Sequence, residues 1–466
     1  MNSPLERAAA DQPALLDTLA QFTHDLKLHE VPVEVRRQAG LCVLDTIGCM
    51  LAGARTPEGM ALLEAERQTG GGGPPARVLG ADAKMPAECA ARVHGYWGDI
   101  FELNDLIGGH ASVGNVAAAL ALASPCGASG AELLKAVIVG IEATSRLYTA
   151  VYSSLRSYTD VAMVTPGIVS AFGAAAVATS LQGLSRETTR EALAIAGTLT
   201  TWCPAEAIFG SGGTVKPMLF GAWPAATGLR AAAYANCGMS GPARLLESSI
   251  GLMATLSSAP DAQAITDSQH WFLAEPRRKV HACCGYTHAA VDLAASLRAR
   301  FGAHALSRGR LRIAMPAYVL PAVAKREAPS TPNEARFHVS YCVALSASGA
   351  DVILPEHSEA FETHLSRPDV RTLLANIEVV SDASLTHYHQ CSMTLTLDGG
   401  RVQEAYLDAP RGTPRNPLTD SDVIAKFQRL ASAHLDARAS TAYAERFLHL
   451  EDARDCDWIF ESFLDR

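Results

Sequence analysis

The chain has 466 residues, of which 48% are hydrophobic and 19% are charged, and its formal net charge is −9. These values exclude a disordered chain, and the acidic balance argues against a nucleic-acid partner, which would need a basic surface. No run of about 18 strongly apolar residues is present, so we expect no membrane span. Residues 1–16 show no basic-then-apolar leader pattern. The odd count of eleven cysteines is typical of a reduced, cytoplasmic protein.

The first part of the chain, residues 1–269, carries helical patterns. Apolar residues recur at helical spacing around Leu19, and a second helix is predicted from about Val33 to a stop at Gly53. Ser129 and Glu132 form a capping box that opens another helix. Further Ala-rich helices are predicted at about 167–182, 187–200 and 221–236.

The pattern changes near residue 270. Apolar and polar residues alternate over 310–315, which predicts a strand, and again on either side of the Asp398–Gly400 turn, which predicts a hairpin. Helical signals return near Thr419. We therefore predict a mostly α fold with a smaller α+β part. It would have a large all-helical domain (1–269), an inserted α+β lid domain (270–410) and C-terminal helices (411–466) that return to the helical domain.

Polar residues concentrate in a short segment that follows the predicted helix near residue 94. Glu102, Asp105 and His110 lie within nine residues of one another, and carboxylates beside a histidine are suited to general acid–base chemistry. An ordinary polar loop with a helix cap at Ser112 explains the same pattern. Spacing alone leaves both interpretations open.

Two further clusters carry cations. Lys216 follows the glycine run at 210–213 but lacks the Gly-Lys-Ser/Thr order of a phosphate loop; it is either a desolvated base or carboxylate anchor, or a solvated loop lysine. Segment 277–288 begins Arg-Arg-Lys and could attract an anion. Its histidines and cysteines match no standard zinc spacing, so we expect no metal.

Glu142 and Arg146 lie four residues apart on a predicted buried helix. Burying an ion pair costs desolvation energy, so the pair needs a functional or structural explanation.

Several short motifs follow one another along nearly the whole chain. Each motif is weak alone, but their order along the chain is specific. These segments are Leu44–Gly48, Glu102–Asp105 with His110–Ser112, Phe172–Ala176, Gly213–Pro217, Gly238–Pro242, Lys279–His288 and Glu334–Phe337. In this order they resemble the MmgE/PrpD family.

The resemblance implies a helical domain, a smaller α+β lid and a site between them. It also implies a homodimer that moves protons next to a carboxylate in small polycarboxylates, with no cofactor or metal. Residue by residue, Glu102 matches the family's acidic residue, His110 its histidine and Lys216 its lysine, while Lys279 matches a cation in the late motif.

Two positions where the family usually has histidine are Val164 and Leu219, and Ala111 replaces a proline. Fewer histidines favour an epimerase or racemase, similar to iminodisuccinate epimerase, over a lyase of the 2-methylcitrate dehydratase or cis-aconitate decarboxylase type. A noncatalytic carboxylate-binding scaffold is a third possibility. We expect Lys216 and His110 to be the acid and base, with Glu102 or Asp105 orienting His110. The residues expected to bind substrate are Lys279, Arg277, Arg278, His281, Tyr286, Arg146 and Tyr148.

Overall fold

The computed structural model describes residues 14–210 and 213–463. It is 59% helical and 8% strand, which confirms the predicted mostly α fold with a smaller α+β part. The leader prediction for residues 1–16 lies mostly outside the described residues, as do positions 211 and 212 of the glycine run. The helices of eight or more residues are α1 (Leu15–Asp25), α2 (Val33–Gly53), α3 (Pro57–Thr69), α4 (Ala87–Asp99), α5 (Ala111–Ala123), α6 (Gly130–Tyr152), α7 (Pro166–Leu181), α8 (Arg186–Leu199), α9 (Trp223–Asn236), α10 (His288–Phe301), α11 (Val339–Ser348), α12 (Pro368–Ala375), α13 (Asp420–Ala431) and α14 (Ala437–Leu448).

Shorter elements connect these helices. The strands are β1 (Pro75–Arg77), β2 (Lys84–Pro86), β3 (Arg310–Met315), β4 (Ile377–Ser381), β5 (Cys391–Thr396) and β6 (Val402–Leu407). A π-helical turn spans Met218–Ala222. Short α-helical segments are Tyr158–Val161, Ala205–Phe209, Leu252–Leu256, Gln263–Thr266, Ala303–Arg308, Leu320–Val323, Pro332–Arg336, Pro355–Glu359, Phe361–Ser366 and Trp458–Glu461, and 3-10 turns are Leu28–Glu30, Phe272–Ala274, Gly285–Thr287, Ala317–Val319 and Leu450–Asp452.

Helix α7 is the centre of the helical part. It packs against α5, α6, α8 and α9, and its residues 167–179 are all buried. Small side chains permit this packing: a Cβ on Gly173 would lie 2.4 Å from the carbonyl oxygen of Gly140. The capping box of Ser129 and Glu132 begins α6 as predicted.

A pair of glycines brings α4 against the π-helical turn. A Cβ on Gly95 would lie 2.4 Å from the carbonyl carbon of Gly221, so the two backbones approach more closely than any side chain allows. Asp99 ends α4, and Lys216 precedes the π-helical turn. The glycine contact therefore sets the distance between these two charged residues.

The lid part is built on one mixed sheet with strand order β4-β3-β5-β6. Strand β3 pairs parallel with β4 and antiparallel with β5, and β5 and β6 form the predicted hairpin. The buried side chains of β5 alternate with half-buried ones, and α10 packs against β5 and β6. A helix that packs on a sheet in this way buries one face of the sheet.

The C-terminal helices pack on the helical part, where α13 and α14 contact α2. Lys426 of α13 is buried and lies 2.8 Å from a carboxylate oxygen of Asp45. Its ammonium also donates to the carbonyl oxygens of Leu103, at 2.8 Å, and Lys279, at 3.0 Å. Lys426 therefore joins segments that lie far apart in sequence, next to the residues expected to be catalytic. The boundaries at 269 and 410 stay predictions.

Two global features complete the fold. Within residues 14–210 and 213–463, no single helix is both long enough and apolar enough to cross a membrane. The eleven cysteines all lie in the described part of the chain, and none forms a disulfide.

Candidate active site

The loop between α4 and α5 holds Glu102 and His110 in an unusual backbone conformation. Their φ angles are 53° and 73°, in the left-handed region that side chains with a Cβ rarely adopt. Of the described non-glycine residues, Ala162 alone shares this property. Such conformations cost on the order of 1–3 kcal/mol each and concentrate at functional sites. Both side chains are buried.

A chain of hydrogen bonds orients the His110 imidazole. The Asn104 amide nitrogen donates to Asp99 Oδ1 at 2.6 Å, so the Asn104 carbonyl oxygen is left to accept. His110 Nδ1 lies 2.6 Å from that oxygen and therefore carries the proton. This leaves the Nε2 lone pair of His110 free. Asn104, rather than Glu102 or Asp105, contacts the imidazole.

Glu102 lies between two buried ammonium groups. Lys279 Nζ donates to Glu102 Oε2 at 2.6 Å and to the Glu102 carbonyl oxygen at 2.7 Å. Lys216 Nζ is paired with Glu102 Oε1 and also with Asp99 Oδ2, the latter at 2.8 Å. The four charged side chains are at most 2% exposed. Two cations thus compensate two carboxylates without solvent, an arrangement that needs close geometry to be tolerated.

These contacts move the pKa values of the cluster apart. Burial raises the pKa of Asp99 to about 6. For Glu102, burial raises the pKa but the charges of Lys216 and Lys279 outweigh it and hold the pKa below its usual range. For Lys216, the two carboxylates outweigh burial and raise the pKa, so the ammonium stays protonated. Burial, aided by Lys279, lowers the pKa of His110 well below its usual value, so the imidazole is neutral.

A cavity of about 110 Å³ lies against this cluster and reaches the lid. Glu102, His110 and Phe220 line it from the helical part, while Lys216 and Lys279 lie behind Glu102 and do not line it. We call Asp99, Glu102, Asn104, His110, Lys216 and Lys279 the charged wall. We call the rings on the other sides of the cavity the aromatic wall: Tyr148, Tyr152, Tyr158, Phe209, Tyr286, Phe337 and Tyr388.

Three of the residues expected to bind substrate line this cavity: Arg277, Tyr148 and Tyr286. The Arg277 carbonyl oxygen accepts a hydrogen bond from the Leu106 backbone N–H at 2.7 Å, and this bond joins the segment around Arg277 to the loop between α4 and α5. The Arg277 guanidinium lies close enough to the Tyr388 hydroxyl to oppose the rise that burial causes in the Tyr388 pKa. The cation therefore has a defined position at the boundary of the two parts.

Arg278 and Asp105 lie away from the cavity lining. The Arg278 guanidinium donates to the Gln38 side chain at 2.6 Å and to the Gln38 carbonyl oxygen at 3.0 Å, because alternate residues of this extended segment face opposite sides. Asp105 accepts from the Ser112 hydroxyl and, at 3.3 Å, from the Ile107 N–H. Both residues hold the backbone around the site.

His281 and Arg146 also lie outside the cavity lining. His281 Nε2 is 3.0 Å from Asp292 Oδ1, and its Nδ1 accepts the Ile353 N–H at 3.2 Å. The Arg146 guanidinium contacts carbonyl oxygens of segment 267–270, including that of His270 at 3.2 Å. Its buried position on α6 thus has a structural explanation: it binds the segment that leads from the helical part to the lid.

Sequence reasoning did not single out Asn104, Asp99 or Tyr388 as site residues. Asn104 and Asp99 lie within the polar segment singled out above. No sequence spacing identifies an asparagine whose side-chain oxygen accepts a hydrogen bond from a histidine. Tyr388 lies 51 residues after Phe337 and 102 residues after Tyr286, and no local pattern connects these residues of the cavity lining.

In the described part of the chain, no group of three or more His, Cys, Asp or Glu side chains is arranged to hold a metal ion. Comparison with protein families then gives a direct result. The MmgE/PrpD N-terminal domain matches residues 17–265, and the MmgE/PrpD C-terminal domain matches residues 281–450. The chain belongs to the MmgE/PrpD family.

Curated relatives of known name extend over almost the whole chain. The chain is similar to a cis-aconitate decarboxylase of Homo sapiens, with 28% identity over 467 residues that cover 95% of this chain and 93% of that protein. It is also similar to a cis-aconitate decarboxylase of Aspergillus terreus, with 24% identity over 501 residues that cover 98% of each chain. The family prediction is confirmed. The relatives are decarboxylases, so the similarity to an epimerase is not confirmed.

Proposed function

We propose that this protein is a lyase of the decarboxylase type that acts on a small carboxylic acid. The observation that carries the proposal is His110, whose Nδ1–H is fixed by Asn104 and whose Nε2 is free beside Glu102 at the cavity. The similarity to cis-aconitate decarboxylases supports the same reaction class. The epimerase, which the histidine losses favoured, becomes the second candidate.

Decarboxylation needs one proton at one carbon. The bond to the departing carboxylate breaks, carbon dioxide leaves, and the electron pair that stays on the substrate takes a proton. His110 is neutral in the empty cavity because burial lowers its pKa, and a bound carboxylate would raise that pKa by its negative charge. We assign His110 as the proton donor, loaded when the acid binds.

The charged wall supplies fixed charge for this step. The Lys216 and Lys279 ammonium groups are held by Glu102 and Asp99 and need no rearrangement as charge develops on the substrate. Preorganised charge of this kind is a major source of rate enhancement. We propose that Lys216, expected earlier as a base, acts as a permanent cation, since two carboxylates raise its pKa.

One observation favours the epimerase. Two-base epimerisation needs a second proton-transferring group in the cavity, and the hydroxyls of Tyr148, Tyr152 and Tyr286 are candidates because they line it with His110. Burial raises the pKa of all three, which makes them weak acids at neutral pH. The decarboxylase needs no such group, and we prefer it for that reason.

Proton NMR in deuterium oxide separates the candidates. The protein is incubated with cis-aconitate, citrate, 2-methylcitrate and iminodisuccinate, and carbon dioxide is measured in parallel. Carbon dioxide release with one deuterium gained at carbon supports the lyase. Exchange of the α proton with the carbon skeleton intact supports the epimerase and contradicts the lyase.

The pH dependence of kcat/KM gives a second test on the same samples. If free-enzyme His110 must be protonated to act, kcat/KM falls as pH rises through the neutral range, because the imidazole pKa is lowered. If His110 acts as a base, kcat/KM is flat across that range and falls only at acid pH.

A further inference from the structure

The cavity offers one uncompensated cation. Arg277 and Glu102 are the formally charged residues in its described lining. Glu102 is already paired with two ammonium groups, whereas Arg277 forms no ion pair with a carboxylate of the described residues. One carboxylate of a substrate can therefore pair with Arg277, and a second can pair with the His110 imidazole once His110 is protonated.

Two buried arginines near the cavity are committed elsewhere. Arg278 donates to Gln38. The Arg336 guanidinium lies 5.1 Å from the Phe101 ring centroid, donates to Ser358 at 3.0 Å, and is 3.6 Å from Glu58. Each of these side chains is buried with its partner, so neither is available to a third carboxylate.

The remaining surface of the cavity is mainly aromatic and aliphatic, with tyrosine hydroxyls as its polar groups, and its described lining carries no further formal charge. Phe209 lies at the centre of the aromatic wall, with ring centroids 4.8 Å from Tyr158, 5.7 Å from Phe337 and 6.5 Å from Tyr286. Val164 is 8% exposed and extends the apolar surface next to them. The other aliphatic contributors are Leu106, Leu155, Met163 and Ile208.

Resting on the proposed function, we infer that the substrate carries at most two carboxylates and an alkyl or aryl group that packs against the aromatic wall. A third carboxylate would have to leave water and lie against rings with no cation to pair with, which is costly. An apolar group at the same place gains from burial. The sequence predicted a polycarboxylate as the substrate. The inference narrows this class to acids with one or two carboxylates and an apolar group.

A matched pair of ligands tests this inference in the full chain. cis-Aconitate is maleate with a carboxymethyl arm. 2-Benzylmaleate has a phenyl ring in place of the carboxylate of that arm. Isothermal titration calorimetry should show 2-benzylmaleate binding at least about tenfold more tightly than cis-aconitate, the scale expected when a pocket discriminates by one group. Equal or tighter binding of cis-aconitate overturns the inference, and so does binding of neither ligand.

A substitution in the apolar surface should reverse the preference. Val164→Lys adds a second cation to the cavity lining, and we expect the affinity ratio to shift by at least about tenfold toward cis-aconitate. Val161→Lys is the matched control, because Val161 is close in sequence but does not line the cavity. An unchanged ratio in Val164→Lys contradicts the inference.

The outcome for the proposed function stays separate. If 2-benzylmaleate is preferred but no acid loses carbon dioxide or exchanges a proton, the decarboxylase fails while the binding chemistry stands. If cis-aconitate is preferred and decarboxylated, the function holds and the inference about the substrate fails.

Discussion

The two walls of the cavity differ in almost every physical property. The charged wall comes from the α4–α5 loop and the segments around residues 216 and 279, and its side chains are buried, paired and bound to one another. The aromatic wall comes from segments spread from Tyr148 to Tyr388, and its rings meet through packing. Hydrogen bonds and ion pairs specify angles, whereas apolar packing specifies mainly volume.

This difference suggests a division of work. Under the proposed function, the charged wall holds His110 and the fixed cations at the place of proton transfer, so changes there should alter kcat. The aromatic wall, with Arg277 between the two, shapes what can bind, so changes there should alter KM. The first and last of the following predictions test that division, and the two between them test the buried charges around His110.

The largest effect is expected at His110. His110→Gln keeps a polar side chain but removes the group that carries the proton, and general acid–base groups contribute roughly 10²–10⁴-fold. We expect kcat to fall about 10³-fold with little change in KM. The control is His29→Gln, at an exposed histidine near α2. Activity within twofold of the unaltered protein would remove His110 from the chemistry.

Lys216→Met should lower stability. Without this cation, buried Asp99 loses its ammonium partner and Glu102 keeps only Lys279, and breaking a buried pair typically costs about 3–5 kcal/mol. Urea denaturation measures the free energy of unfolding. Lys135→Met, at a half-buried lysine of α6, is the comparison and should change stability by less than about 1 kcal/mol. Equal effects of the two substitutions would show that the charged wall is not a coupled network.

Asp105 provides a pH-dependent test. Burial raises its pKa in the folded protein to about 6, from an ordinary value of 3.8. The stability that comes from the protonated form is therefore complete below about pH 4 and is lost as pH rises through 6. Asp105→Asn cannot ionise, so it should gain about 3 kcal/mol relative to the unaltered protein between pH 4 and pH 7. Denaturation curves at four pH values check this, and a pH-independent difference would contradict it.

The smallest effect is expected in the aromatic wall. Tyr388→Phe removes the hydroxyl beside the Arg277 guanidinium, and the loss of one such polar contact costs about 1 kcal/mol. We expect KM to rise about fivefold and kcat to stay within twofold. Tyr406→Phe, at an exposed tyrosine of β6, is the control. A large loss of kcat in Tyr388→Phe would contradict the hypothesis that the charged wall controls kcat and the aromatic wall controls KM.

Local patterns predicted the secondary structure well. The capping box at Ser129, the helix that ends at Gly53 and the hairpin of β5 and β6 all depend on residues close in sequence. The same holds for the Glu102–His110 segment, whose polar residues are separated by few positions. Such features depend on short-range backbone preferences and on the period of apolar residues.

The sequence by itself determined the helical and strand content, the family, and the set Glu102, His110, Lys216 and Lys279. Only the tertiary structure decided how these residues are arranged. The contact between Gly95 and Gly221 places Lys216 beside Asp99, and the backbone of the loop lets Asn104 orient His110. It also turned Arg278 away from the cavity and Arg277 toward it. These outcomes depend on packing between distant segments, which no local pattern encodes.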